Sequence, residues 1–282
     1  GFSTFITSFA ILYSNFPARR IWYNTNMKKL LLRLFTFAFL AAGCIVMSSC
    51  GTLEREPKTA YNELGKVFVV GYHRISENGK DWTRKPQDFK KDLQKYYDLG
   101  FRLVSIKDFF NDCRTKVPAG KKPLIMTFDD GTAGQFSWQI VNGATVEGSG
   151  GYPKIDPDCA VGMLDEFYNK HNDFGRAATF FLNSNPFYQK ECPAAWKKKL
   201  EYLVKTEREI GNYTFNHDNL GKLDFIGIKK TLAREQAKIE EALPSYEASS
   251  VALPNGILPK RGRWLLQDGS YGGITYHYKV AF

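Results

Sequence analysis

Between residues 66 and 253, short apolar runs rich in β-branched and aromatic residues alternate with amphipathic stretches, and this alternation limits the fold more than any other feature of the chain. Strands are expected at 67–71, 103–104, 124–128, 177–182, 210–215 and 251–253. Helices are expected at 86–99, at 106–113 behind a Ser105 cap, and at 158–168, 192–205 and 224–243. Where a helix separates consecutive strands, each connection is long enough to cross over and return in the same direction, so the strands lie parallel in one sheet or barrel. No short period repeats, which excludes a solenoid. Periodicity does not separate a closed barrel from an open, doubly wound sheet. In either case the C-terminal ends of all strands emerge on one rim, and that rim then carries His73, Asp129, Asp130, the 213–217 segment and Asn255.

The third strand reads Leu124-Ile125-Met126-Thr127-Phe128 and stops at Asp129-Asp130-Gly131. Two adjacent carboxylates at a strand end repel each other, and both ionise only with a cation, a metal or several donors beside them. On these residues alone, a strand followed by an Asp-Gly turn is an equal reading. The fifth strand ends at Gly211-Asn212-Tyr213-Thr214-Phe215-Asn216-His217-Asp218. A lone histidine is ordinarily a hydrogen-bonding residue. An imidazole from one strand end beside a carboxylate from another is the oxygen and nitrogen pair that zinc or a similar divalent ion takes. Residues 132–152 are rich in Gly, Ser, Gln and Thr and read as a long loop beside the carboxylates. Its aromatics Phe136, Trp138 and Tyr152 are candidates for stacking on sugar rings.

Composition narrows the partners. The 282 residues, 43% of them hydrophobic, suffice for a core, and the formal charge is +10. Arg19, Arg20, Lys28, Lys29 and Arg33 supply half of that excess ahead of residue 50, so the remainder has an ordinary surface and no nucleic-acid partner is expected. Residues 1–26 read as an upstream extension or read-through. Residues 27–50 resemble a lipoprotein signal peptide, with a basic start, an apolar run at 34–47 and Ser48-Ser49-Cys50 at its end, which makes Cys50 the candidate for lipidation. An uncleaved membrane anchor is the alternative. Residues 51–65 read as a linker, and 66–282 as the functional domain. Both N-terminal readings place that domain outside the cytoplasm, in the cell envelope. Cys113, Cys159 and Cys192 lack metal-binding spacing; one disulfide or free thiols are both open.

Taken together, Thr127-Phe128-Asp129-Asp130-Gly131, Ala178-Thr179-Phe180-Phe181, Val70-Gly71-Tyr72-His73-Arg74-Ile75, Gly211-Asn212-Tyr213-Thr214-Phe215-Asn216-His217 and Val251-Ala252-Leu253-Pro254-Asn255-Gly256 resemble, in this order, the motifs of the polysaccharide deacetylases of carbohydrate esterase family 4. The resemblance implies an α/β fold, a distorted (β/α) barrel with mostly parallel strands, incomplete at its C-terminal end because the chain stops on what reads as mid-strand. It also implies metal-dependent hydrolysis of N-acetyl groups from an amino-sugar polymer such as peptidoglycan, chitin-like chains or poly-N-acetylglucosamine. By the same resemblance Asp129 is the general base, Asp130 and His217 are ligands of a divalent ion (zinc, with cobalt or manganese as alternatives), and the backbone N–H of Asn255 donates to the oxyanion.

Several positions depart from the family pattern. Tyr213 stands where the family has a metal-binding histidine, Ala252 where it has an arginine that orients the base, and Asn255 where it has a tyrosine. His277 is a weak candidate for the residue that protonates the leaving amine. His73, at the end of the first strand, is expected on the same face, either as a substitute ligand or as a structural histidine. These departures keep a second reading open: a glycan-binding lipoprotein that has lost the chemistry. A glycoside hydrolase needs two carboxylates facing each other across a cleft, and no partner acid is evident.

Overall fold

The computed structural model describes residues 67–78, 81–111 and 116–282. The signal-like segment, Cys50, the linker and Cys113 lie outside the described residues. Among the described residues thirteen strands and five α-helices follow in chain order: β1 (Phe68–Tyr72), β2 (Arg74–Ile75), β3 (Thr83–Arg84), α1 (Pro86–Asp98), β4 (Phe101–Leu103), α2 (Ile106–Phe110), β5 (Lys122–Phe128), β6 (Ile140–Val141), β7 (Ala144–Thr145), α3 (Ala160–Lys170), β8 (Thr179–Leu182), α4 (Trp196–Lys205), β9 (Glu209–Asn212), α5 (Phe225–Ala242), β10 (Ser250–Val251), β11 (Asp268–Tyr271), β12 (Ile274–His277) and β13 (Val280–Ala281). Among the described residues no helix is long and apolar enough to cross a membrane.

Seven strands form one sheet in the order β1-β5-β8-β9-β10-β13, with β4 also paired to β5, and every pairing in it is parallel. The alternation of strand and helix in the sequence therefore has its expected outcome. Leu124 of β5 faces Phe68 on one side and Leu103 on the other, while Thr127 faces Gly71 and Thr179, so β4 and β8 share one edge of β5, one after the other. The sheet is a distorted half-barrel of α/β type. The pairings leave β1 and β13 at its two ends.

Strand pleating sorts the core into two. Val69, Ile125, Phe181, Tyr213 and Ala252, contributed by five successive strands or their ends, pack together with Val104 and Ile106. Their neighbours in sequence, Val70, Leu124, Met126, Phe180, Leu182 and Val251, pack instead with the helices in the larger cluster. Side chains from so many strands meet on one face only if the sheet curls around them, and the alternation of period two assigns each residue to its face. Gly211 shows how tight the concave side is. A Cβ there would stand 2.4 Å from the Phe181 ring.

Helix ends follow from the sequence as well. Ser105 and Asp108 form a reciprocal capping box at α2, and Asp224 caps α5 through the Gly227 N–H at 2.7 Å. Residues 132–152, expected as an open loop, instead hold the β6–β7 hairpin, and Phe136 and Trp138 are buried at 0% and 1% exposure. Those two aromatics are core residues and face no sugar; Tyr152 is half-buried against Tyr202. Cys159 and Cys192 are free thiols.

Candidate functional site

The pleat that builds the core also builds the site. Residues 125, 127 and 129 share the concave face of β5, as do 69, 71 and 73 beyond β1, and 211 and 213 beyond β9. Continuing those registers past the strand ends brings His73, Asp129 and Tyr213 to one rim. Asp130 would point away on a regular strand, but its backbone turns into the left-handed region (φ 76°), and His217 adopts φ 56° after Thr214 at φ 63°. Non-glycine residues in this region cost free energy and persist where the surroundings hold them. The turns aim Asp130 and His217 back at the same rim.

Two His–Asp pairs result. His73 Nε2 lies 3.7 Å from Asp129 Oδ2, and His217 Nε2 lies 3.6 Å from Asp130 Oδ1. The Tyr213 ring meets the His217 ring edge-on at 5.0 Å, and its hydroxyl has no hydrogen-bond partner among the described residues, although Tyr213 is only 2% exposed. Desolvation, with the Asp130 charge beside it, raises the Asp129 carboxyl to about 7. Burial lowers the His73 imidazole despite the attraction of Asp130, and burial followed by the Asp129 and Asp130 charges pushes the Tyr213 phenol far up.

The supporting contacts come from residues that carried no sequence signal. The Gln135 amide donates to the carbonyls of both His73 and Asp129, tying two strand ends together. Asn183 donates to the Asp130 carbonyl at 3.1 Å, and the Tyr72 carbonyl accepts from the Asp129 N–H at 2.9 Å. The 213–218 turn is held by Asp218 N–H to Thr214 Oγ1 at 2.7 Å and by the contact of Thr231 with the Asp218 carboxylate. Trp82, at φ 61° and half exposed, packs its ring 4.9 Å from His73. A glutamine in a Gly/Ser-rich stretch and a tryptophan before a two-residue strand have no pattern of their own, which is why sequence reading missed both.

Not every expected residue joins the group. Asn255 sits on the turn after β10 with φ 59°, its side chain exposed and without a hydrogen bond to either carboxylate. Ala252 is buried in the concave cluster. His277 lies on the β11–β12 hairpin, paired with Asp268 and lining a separate surface cavity with Lys229 and Glu247.

Donor chemistry decides whether a divalent ion fits. Bonds of about 2.1 Å allow two ligands of one ion to stand up to about 4.2 Å apart, so Asp130 and His217 are close enough to share one. The third position offers a phenol that stays protonated, a poor ligand beside imidazole or carboxylate. His73 stands against Asp129, and among the described residues no three His, Cys, Asp or Glu side chains have metal-binding geometry. The residues present do not fit a three-ligand centre.

Residues 157–272 match the family model described as polysaccharide deacetylase, a span that contains Tyr213 and His217 but not the Asp129–Asp130 strand end. No curated protein matches the chain. Among solved structures, BA0330 from Bacillus anthracis, described as a polysaccharide deacetylase, is 18% identical, with 76% of this chain and 56% of that chain covered and a TM-score of 0.51. The Streptococcus pyogenes deacetylase PplD in complex with acetate is 15% identical over 76% of this chain and 91% of its own, at a TM-score of 0.49. The Bacillus anthracis CE4 family pseudoenzyme BA3943 is 24% identical over 35% of this chain and 31% of its own, at 0.27. At these identities the likeness concerns the fold alone, and of the three only BA0330 supports it.

Proposed function

From the match of residues 157–272 to the polysaccharide deacetylase model we propose that this chain is a member of that family and that it hydrolyses N-acetyl groups on an amino-sugar polysaccharide of the cell envelope. The observation that carries the proposal is the meeting of His73–Asp129 and His217–Asp130 on one strand-end rim. Peptidoglycan, chitin-like chains and poly-N-acetylglucosamine are the substrate class. Cys50 is the lipid attachment point that keeps the domain at a membrane, and the linker lets it stand off the surface.

The roles follow from the environments. Asp129 is the base, because a carboxyl raised to about 7 is about half ionised near neutral pH and basic enough to take a proton from water. His73, at 3.7 Å from it and kept neutral by burial, orients the carboxylate. The half-exposed Trp82 beside His73 offers an apolar face to a sugar ring. Asn255 contributes through its backbone N–H. For a divalent ion, zinc first with cobalt or manganese as substitutes, Asp130 and His217 would be two ligands that hold it weakly for want of a third. Tyr213→His supplies the missing imidazole, and titration calorimetry should then show zinc affinity higher by about 10-fold or more.

Acetate release from acetylated chitooligosaccharides and from peptidoglycan tests the activity. Wild-type protein should release acetate and Asp129→Asn should not; equal release from both overturns the proposal. The phenol at position 213 favours a second reading, a glycan-binding protein on the deacetylase fold. That reading predicts glycan retention with no acetate from wild type or Tyr213→His.

A further inference from the structure

Amide hydrolysis needs a base for water and an electrophile for the oxygen on which charge develops. The rim holds an evident base in Asp129, while its cation ligands fall short at Tyr213. Yet Tyr213 is not an inert filler. It is 2% exposed, packed by Val69, Ile125, Phe181 and Ala252 on the concave face, and edge-on to the His217 ring. Its hydroxyl is the one part of the side chain without a partner among the described residues. The hydroxyl oxygen is not among the fully buried polar atoms that lack a partner, so it reaches the open rim, where a bound molecule can accept from it. A phenol is an O–H donor at neutral pH. Charge that develops on a substrate oxygen in this position finds a fixed O–H dipole in a partly dehydrated wall.

We propose that the Tyr213 hydroxyl donates to the oxyanion at this site, beside the Asn255 N–H, so that the chain hydrolyses its substrate without a bound metal. This rests on the deacetylase reading above. In the addition step the Asp129 carboxylate takes a proton from water as the water oxygen bonds to the acetyl carbon. The carbonyl π pair moves to oxygen, which accepts from Tyr213 O–H. In the second step the C–N bond breaks, its electron pair goes to nitrogen, and the proton held by Asp129 passes to that nitrogen. The oxyanion pair re-forms the carbonyl, acetic acid and a free amine leave, and the acid gives its proton to solvent to become acetate. Tyr213 gives up no proton, as a preorganised donor should not. Phe181 and Ala252 behind the ring fix its height, so the donor needs no reorganisation when the charge appears.

The test uses the full chain stripped with a chelator, with acetylated chitotetraose as substrate and its methylphosphonamidate analogue as the tetrahedral mimic. Tyr213→Phe keeps the packing and deletes the donor. Its kcat should fall about 10²- to 10³-fold while KM stays within about 3-fold, the pattern of a contact made only in the transition state. The analogue should bind Tyr213→Phe at least about 10-fold more weakly, with chitotetraose binding unchanged. Equal turnover, or equal analogue affinity, in the two proteins overturns the proposal. So does wild-type turnover that vanishes on chelation and returns with zinc. If neither protein releases acetate, the deacetylase reading fails by itself, and the analogue affinities still decide for or against a donor at Tyr213.

Discussion

At the scale of single residues, the site is a set of groups whose charges are set by neighbours. Asp129 is desolvated and faces Asp130, so its protonated form is favoured up to about pH 7. The folded value lies above that of an unfolded aspartate, hence this group's contribution to stability is full below pH about 4 and declines as pH rises through 7. Activity runs the other way, because the base works only when ionised. The expected outcome is an acid limb in kcat/KM near pH 7 and a matching carboxyl titration by 13C NMR. Asp130→Asn removes the like charge, so the Asp129 titration should move to lower pH. An unmoved titration would mean that desolvation accounts for the whole shift. Tyr213 illustrates the same point from the other side. Its identity is plain in the sequence, but its solitary hydroxyl is a fact of packing.

At the scale of elements, the strand ends matter more than the strands. β1, β5 and β9 deliver His73, Asp129 and Tyr213 by simple alternation, and this much was legible from the apolar runs and their polar stops. What alternation does not show is how two of those ends are locked together. Gln135, in a stretch that reads as loop, donates to the carbonyls of His73 and Asp129. Gln135→Leu leaves both carbonyls without this donor, and an unsatisfied buried acceptor costs about 1–3 kcal/mol. The variant should lose stability by that order in urea unfolding and kcat by about 10- to 100-fold, with KM little changed. A loss of stability without a loss in kcat would make Gln135 purely structural. The same stretch shows why the 132–152 reading went astray. Phe136 and Trp138 lie among Gly and Ser, a composition that signals a turn, yet they plug the core beside Phe187 and Tyr202. Composition reports local backbone preference; burial depends on what lies across from it.

At the scale of the whole molecule, a buried carboxyl stands against the fold whenever it ionises. Glu235 on α5 is fully buried, neither carboxylate oxygen has a partner among the described residues, and desolvation holds its pKa well above the usual range. A carboxyl raised on folding contributes fully below pH about 4.5 and loses that contribution as pH rises through its folded pKa. Wild-type stability in urea should therefore fall from pH 5 towards pH 8, and Glu235→Gln, which cannot ionise, should flatten that slope. Parallel slopes would show that Glu235 is not its source. The sequence by itself determined the class of the fold, the direction of the strands and the rim on which chemistry must lie, because periodicity and turn residues are local properties written in order along the chain. It also carried Asp129, Asp130 and His217, whose spacing from strand ends is countable. Periodicity did not separate barrel from open sheet, which the family resemblance alone did, and only the tertiary structure decided that Gln135 ties two strand ends and that Trp82 stands beside His73. It also decided that Tyr213 is buried edge-on to His217, with a hydroxyl that has no hydrogen-bond partner among the described residues. These depend on contacts between segments separated in sequence, and such contacts are selected by close packing of the whole chain, which no local pattern records.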